Sequence, residues 1–301
     1  MGKILSIVVI TMNRSQQLIE ALDSCMMCLL PKETEFIIIN NASTDNTEDL
    51  IKNYMNKHLE YDFVYEKENE NLGVGGGRSK GFEIARGEFL YFLDDDAIID
   101  SECKNDFFCK SIDYLKRNES VASLTTKIYD EMLGHDRNVS VTSKSIDGLN
   151  CIFKYLGGSH FLRKSAFSTP LYFDISYGSE EYAPSIMAQD AGFFHVFDPS
   201  IRVIHKPKVN KWINGTDHMR FNQIRGAAVT YATKRILYPC LFTPVLWLGY
   251  KRRSHLYLKE YPGADKEAKD LARELIDSNK MKKIRVSTVL KMFMKFGLTV
   301  F

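Results

Sequence analysis

Phe89-Leu90-Tyr91-Phe92-Leu93-Asp94-Asp95-Asp96 is an apolar run that ends in three carboxylates. Five apolar or aromatic residues in succession, entered from the turn signal Arg86-Gly87-Glu88, predict a strand covered on both faces, as in a parallel sheet flanked by helices. The carboxyl end of such a strand is where an open α/β sheet places its ligands. Three adjacent aspartates repel one another. They need a divalent cation, a basic neighbour, or plain solvation at a loop tip. A hard cation takes oxygen ligands and bridges carboxylates to substrate phosphates, and the run alone leaves all three open.

Upstream, Ile4 to Ile10 form a second β-branched run that breaks at Thr11-Met12-Asn13-Arg14. Leu18, Ala21, Leu22 and Cys25 recur at helical spacing. A third strand, Phe36 to Ile39, runs into Asn40-Asn41-Ala42-Ser43-Thr44-Asp45, a cluster of turn and cap residues. An amphipathic stretch from Leu50 to Leu59 and a short strand from Asp62 to Tyr65 follow. Strand, polar loop and helix alternate, which predicts βαβ units and a mostly parallel sheet. Between this region and the aspartates lies Asn71-Leu72-Gly73-Val74-Gly75-Gly76-Gly77-Arg78-Ser79-Lys80-Gly81. It lacks the Gly-Lys-Ser/Thr ending of a P-loop. Its glycines either let backbone N–H groups and a helix N-terminus approach an anion beside Arg78 or form a flexible turn.

Composition narrows the function classes. The chain has 301 residues, 45% hydrophobic and 26% charged, enough apolar material for a sizeable core. A formal net charge of +2 argues against nucleic acid as the main partner. The six cysteines show no paired zinc spacing, and Cys25 and Cys28 fall within a helical pattern, as structural thiols do. The chain opens directly on a strand with no signal-peptide pattern, which predicts the reducing cytoplasm.

Taken together, Ser6-Ile7-Val8-Val9-Ile10-Thr11-Met12-Asn13-Arg14, Ile37-Ile38-Ile39-Asn40-Asn41-Ala42-Ser43-Thr44-Asp45, Asn71-Leu72-Gly73 with its glycines, and Asp94-Asp95-Asp96 resemble family 2 glycosyltransferases with the GT-A fold. The four motifs stand in the family's order over roughly the first third of the chain. The resemblance implies an inverting, metal-dependent transfer from a nucleotide-diphosphate sugar, a UDP-sugar above all, to a hydroxyl of a glycan or lipid-linked acceptor. It implies nucleoside contacts from Thr11, Asn13, Arg14, Asn41 and Asp45, with Asn40 standing where the family usually carries an aspartate. Gly73 and Arg78 would lie beside the nucleotide. Asp94, with Asp95 next to it, would face ribose and sugar, while Asp96 would hold Mn2+ or Mg2+. In Tyr177-Gly178-Ser179-Glu180-Glu181-Tyr182 the family's second carboxylate is the catalytic base, which points to Glu181, beside Glu180. Without the family, the two glutamates read as favourable charge at a helix N-terminus. His205, at the end of a final strand from Asp198, matches a histidine that completes the metal or diphosphate site in many relatives.

These features place a GT-A domain at 1–215 and a helical region at 216–301. The apolar stretch 236–253, rimmed by Lys234-Arg235 and Lys251-Arg252-Arg253, is too short to cross a bilayer. With the basic amphipathic segment 282–301 it suggests contact with a membrane surface or a homodimer interface. A nucleotidyltransferase of related fold and a non-catalytic sugar-nucleotide-binding protein are the alternatives to the transferase.

Overall fold

The computed structural model describes residues 2–173, 178–207, 216–258, 264–279 and 281–301. The chain divides into two compact units, Met1–Ser176 with Gly192–Pro207, and Tyr177–Ala191 with Lys208–Phe301. This division and the expected one at 215 differ in where 177–191 falls.

The first unit begins with β1 (Lys3–Thr11), α1 (Ser15–Met26), β2 (Thr34–Asn40), α2 (Thr47–Lys57), β3 (Asp62–Lys67), α3 (Gly73–Ile84) and β4 (Gly87–Asp94). There follow β5 (Ala97–Ile99), α4 (Phe107–Arg117), β6 (Val121–Asp130), β7 (His135–Asp136), β8 (Val141–Ile146), β9 (Leu149–Ile152) and β10 (Ser159–Arg163). After α5 (Tyr182–Asp190), which belongs to the second unit, β11 (Phe194–His205) completes the sheet. Strand order is β3-β2-β1-β4-β10-β6-β11-β9-β8, with β5 on β11 and β7 on β6. The first four strands pair in parallel. β10 enters antiparallel between β4 and β6, and β6 and β11 are again parallel.

Alternation along the strands sets the two layers. Ile7, Val9, Phe36, Ile38, Tyr91 and Leu93 face Leu18 and Leu22 of α1 and Phe107 and Phe108 of α4. Val8, Ile37, Ile39, Leu90 and Phe92 face Phe82 of α3. Both faces are therefore covered, which is why the strands read as continuous apolar runs. Chain direction away from β1 reverses here, through β2 and β3 on one side and β4 on the other. The ends of β1 and β4 thus flank a topological switch point.

The glycine-dense stretch is neither a turn nor a loop over most of its length: from Gly73 it is α3. A Cβ on Gly77 would lie 2.8 Å from the Ile10 Cγ2, and one on Gly81 would collide with the Val8 Cγ1. The missing side chains let the helix lie close on β1. The polar region from Tyr129 to Gly148 is the end of β6, the β7 bridge and the β8–β9 hairpin, most of it exposed. Asp147 and Gly148, at φ of 44° and 86°, form its turn.

The second unit contains α5, α6 (Thr216–Leu237), α7 (Thr243–Leu258), α8 (Ala264–Ser278) and α9 (Val286–Phe296). Asp190, at the end of α5, accepts hydrogen bonds from the Arg285 backbone N–H and side chain and from the Thr288 hydroxyl, tying the start of α9 to α5.

Alanine is the better helix former, so helix propensity alone predicts that Gly81→Ala stabilises the chain by about 1 kcal/mol. Overpacking against Val8 reverses the sign. The expected outcome is a loss of about 1 to 3 kcal/mol in urea denaturation, and an unchanged or raised midpoint would refute the close helix–sheet contact.

Candidate functional site

Three loops meet at the switch point. After β1, Asn13 adopts φ 56° and its side-chain Oδ1 accepts the Thr44 and Asp45 backbone N–H groups at 2.8 and 3.3 Å. After β2, Asn40 is fully buried; its amide donates to the Tyr65 hydroxyl and its oxygen accepts the Ser43 N–H, both at 2.9 Å. Asn41 caps the entry to α3, accepting from the Leu72 N–H and donating to Asn71 and the Gly73 carbonyl. Asn40 and Asn41 therefore shape the loop, while Asp45 stays exposed, its Oδ1 accepting the Thr47 N–H.

Each carboxylate that follows β4 has its own partners. Asp94 Oδ1 takes the Arg78 Nη2 at 2.6 Å, and the same nitrogen donates to the Gly157 carbonyl at 2.9 Å. Asp95 is buried, accepting from the Thr11 hydroxyl at 2.7 Å and from Arg14 at 3.1 Å. Asp96 accepts from Arg14 at 3.0 Å through Oδ2, and its Oδ1 lies 3.3 Å from the His205 Nε2. Antiparallel pairing of β5 with β11 brings His205 here, opposite Ala97, and the Lys206 N–H donates to the Asp96 carbonyl at 2.7 Å. One ligand atom from each of Asp94, Asp96 and His205 falls within 4.8 Å of the others.

The electrostatics follow from burial and pairing. Burial pushes the Asp95 carboxyl up to about 7, against the pull of Arg14. Burial also opposes ionisation of Asp96, but the hydrogen bond and charge of His205, then the charge of Arg14, hold its pKa below the usual carboxylate range. Burial draws His205 down, yet Asp96 outweighs it and the imidazole pKa is raised. Arg14 is likewise raised, because Asp95 and Asp96 outweigh its desolvation.

Two residues that the motifs do not mark belong to this cluster. Asp130, at the end of β6, has its Oδ2 3.0 Å from the His205 Nδ1, and Arg137 donates to that same oxygen through Nε at 3.1 Å and Nη2 at 2.9 Å. Burial opposes its ionisation, but Arg137 and then His205 keep the Asp130 pKa low. The available signal was an aspartate closing an apolar strand, the pattern Asp94 shows. Gly158 completes the wall: a Cβ there would stand 3.1 Å from Asp94 Oδ2 and 3.5 Å from the Arg137 Nη1. His160, beneath, is stacked on Phe92 and packed on Tyr155, and burial, then the Arg78 charge, drives its pKa well down.

Glu180 and Glu181 lie in the second unit. Both are buried, and Glu181 is the residue from which α5 starts. Gly73, at φ 71°, opens α3, and Arg78 lies on that helix.

The profile described as "Glycosyl transferase family 2" matches residues 6–172. The chain belongs to that family. It is 32% identical over 121 residues to the poly(ribitol-phosphate) beta-glucosyltransferase of Bacillus spizizenii, a match covering 40% of this chain and 18% of that protein. The chain spans less than half the length of the first curated relatives it matches. Among solved structures it resembles Staphylococcus aureus TarS in complex with UDP-GlcNAc, with a TM-score of 0.64 at 15% identity over 91% of this chain and 81% of that one. It also resembles the mannosyltransferase PcManGT from Pyrobaculum calidifontis in complex with GDP-Man and Mn2+, with a TM-score of 0.59 at 14% identity over 98% and 79%. The fold of this family 2 member is accordingly GT-A.

Thr11→Val keeps the shape of the β1 end but strips a buried carboxylate of a hydrogen bond. The expected loss is about 1.5 to 3 kcal/mol of stability in chemical denaturation, and a neutral substitution would show that Asp95 is held by Arg14 alone.

Proposed function

We propose that this chain is an inverting glycosyltransferase that uses a divalent cation to move a sugar from a UDP-sugar to a hydroxyl of a glycan or lipid-linked acceptor. The observation that carries this is the gathering of Asp94, Asp96 and His205 where β4 and β11 end. Two carboxylates and an imidazole suit Mn2+ well, since Mg2+ prefers oxygen ligands alone. The donor set fits such an ion for a further reason: Asp130 occupies the Nδ1 side of His205, which leaves Nε2 turned toward Asp96. When bound, the ion supplies positive charge against the diphosphate oxygens as the glycosidic bond breaks.

The remaining roles fall to the chain itself. Asn13, Asp45 and the loop that Asn40 and Asn41 brace would receive the nucleoside. Arg14 and Arg78 add fixed positive charge near the diphosphate and keep the aspartates from spreading apart. Glu181, matched by position to the family's base, would take the proton of the acceptor hydroxyl as its oxygen attacks the anomeric carbon from the face opposite UDP, inverting that centre. The relative named for glucosylating poly(ribitol-phosphate) and the TarS complex with UDP-GlcNAc support a surface-polymer acceptor and a uridine donor.

Calorimetric titration of UDP is expected to show binding that requires Mn2+, and Asp96→Ala is expected to lose it. UDP affinity indifferent to Mn2+ in the native chain would remove the cation from the mechanism. Glu181→Gln should bind donor normally while transfer falls by roughly 100-fold or more. Release of pyrophosphate in place of UDP would identify a nucleotidyltransferase, and no release with any acceptor a binding protein.

Asp130→Asn tests the support behind His205. Mn2+ affinity, read from the free-ion signal in electron paramagnetic resonance, is expected to fall roughly 10- to 100-fold with the fold intact. Unchanged affinity would make the Asp130 contact incidental.

A further inference from the structure

The outward side of α9 is apolar where a surface helix should be polar. Its inward side buries Val289 and Met292. Its outward side nevertheless shows Leu290 and Met294, 48% and 78% exposed, together with Val286 and Phe293. A polar strip of Ser287, Lys291 and Lys295 runs beside these residues, so the apolar surface of the helix extends well past the stripe that faces the core. The turn after it adds Leu298, 68% exposed. The first turns of α7 and the segment before it repeat the pattern with Leu241 and Leu248, 62% and 66% exposed.

These surfaces adjoin. The Phe301 ring lies 5.5 Å from Phe293 and 5.8 Å from Phe242, and a Cβ on Gly249 would stand 2.9 Å from the Phe301 carbonyl oxygen. Single exposed apolar residues need no explanation, but a contiguous patch of this kind marks a contact surface.

Charge identifies the partner. Residues 234–258 and 281–301 carry ten lysines and arginines and no aspartate or glutamate. Arg252 and Lys291 are exposed beside the patch. The Lys251 Nζ lies 5.3 Å from the centre of the Trp247 ring and the Lys295 Nζ 5.4 Å from that of Phe296, which keeps both ammonium groups next to apolar surface. The acids of this unit sit elsewhere in sequence, half of them on α8, and Asp190 is taken up by Arg285 and Thr288. A second copy of the chain would oppose basic rim to basic rim across a two-fold axis, with like charges repelling. An anionic bilayer offers headgroups to the rim and acyl chains to the patch. No helix among the described residues is long and apolar enough to cross it.

We infer that the outward faces of α7 and α9 dock the protein on the surface of an anionic phospholipid bilayer, lying in the headgroup layer without spanning it. This docking does not depend on the transfer chemistry, so each can fail alone.

The test is cosedimentation of the full chain with vesicles of equal parts phosphatidylglycerol and phosphatidylcholine, against vesicles of phosphatidylcholine only. Binding is expected to the mixed vesicles, weaker to the neutral ones, and to weaken with added salt. Leu290→Asp with Met294→Asp, both at exposed positions, should cut partitioning roughly 10-fold or more. Lys291→Glu and Lys295→Glu should each cut it roughly 5-fold or more. Circular dichroism and Mn2+-dependent UDP binding monitor folding of every variant. The inference is overturned if the native chain stays in the supernatant with mixed vesicles, or if the folded Leu290/Met294 variant sediments as well as the native chain. It is equally overturned if light scattering shows a dimer that these substitutions dissolve while vesicles are ignored.

Discussion

Three carboxylates on consecutive residues impose the constraint from which the site is built. At the separations that neighbouring residues allow, like charges in a half-buried corner repel by several kcal/mol in a medium of intermediate dielectric. The fold answers by giving each a different countercharge from a different part of the chain. Arg78 on α3 takes Asp94, Thr11 and Arg14 after β1 take Asp95, and Arg14 with His205 takes Asp96. The turn between β4 and β5 makes this possible, since Asp94 closes the strand while Asp95 and Asp96 form the turn itself. Asp94 and Asp96 share a side with His205, and the middle one turns in toward Thr11.

The same arrangement explains why distant elements are needed. Arg78 reaches Asp94 only because α3 lies tight on β1, and that closeness rests on Gly77 and Gly81. His205 reaches Asp96 only because β11 runs parallel to β6 and antiparallel to β5 at its end. β6 then contributes Asp130 to the far side of the imidazole. A charge pair at the surface contributes little to stability. Asp95, Asp96, Asp130 and His205 are largely shielded from water and bonded on two sides, so removing a partner there strands a buried charge, while Asp94, 31% exposed, is held by Arg78.

Much of this was readable before any coordinates. Ile4 to Ile10, Phe36 to Ile39 and Phe89 to Leu93 are strands because β-branched and aromatic runs bounded by turn residues have few other options, and they lie within the observed β1, β2 and β4. The helical character of the glycine stretch was hidden, because a helix that exploits missing side chains looks by propensity like a loop. Asp147-Gly148 was a plain hairpin signal inside a polar stretch, overlooked because Val141 to Ile146 lacks the apolar alternation of a half-buried strand. Arg137 was illegible for a different reason. It follows β7, a two-residue bridge that folds back on Tyr129 and Asp130, and such short pairing leaves no periodicity in the sequence.

Asn40, the departure from the family's aspartate, is consistent with its surroundings. The side chain sits at the end of β2 with no exposure, between the Tyr65 hydroxyl and the Ser43 N–H. An amide meets both with one donor and one acceptor and carries no charge into the interior. A carboxylate would accept from both, but it would also add a fourth negative charge to a corner that already holds Asp94, Asp95 and Asp96, with Arg14 and Arg78 already engaged. Asparagine holds the loop through both contacts and adds no charge to a corner where Arg14 and Arg78 already balance three carboxylates.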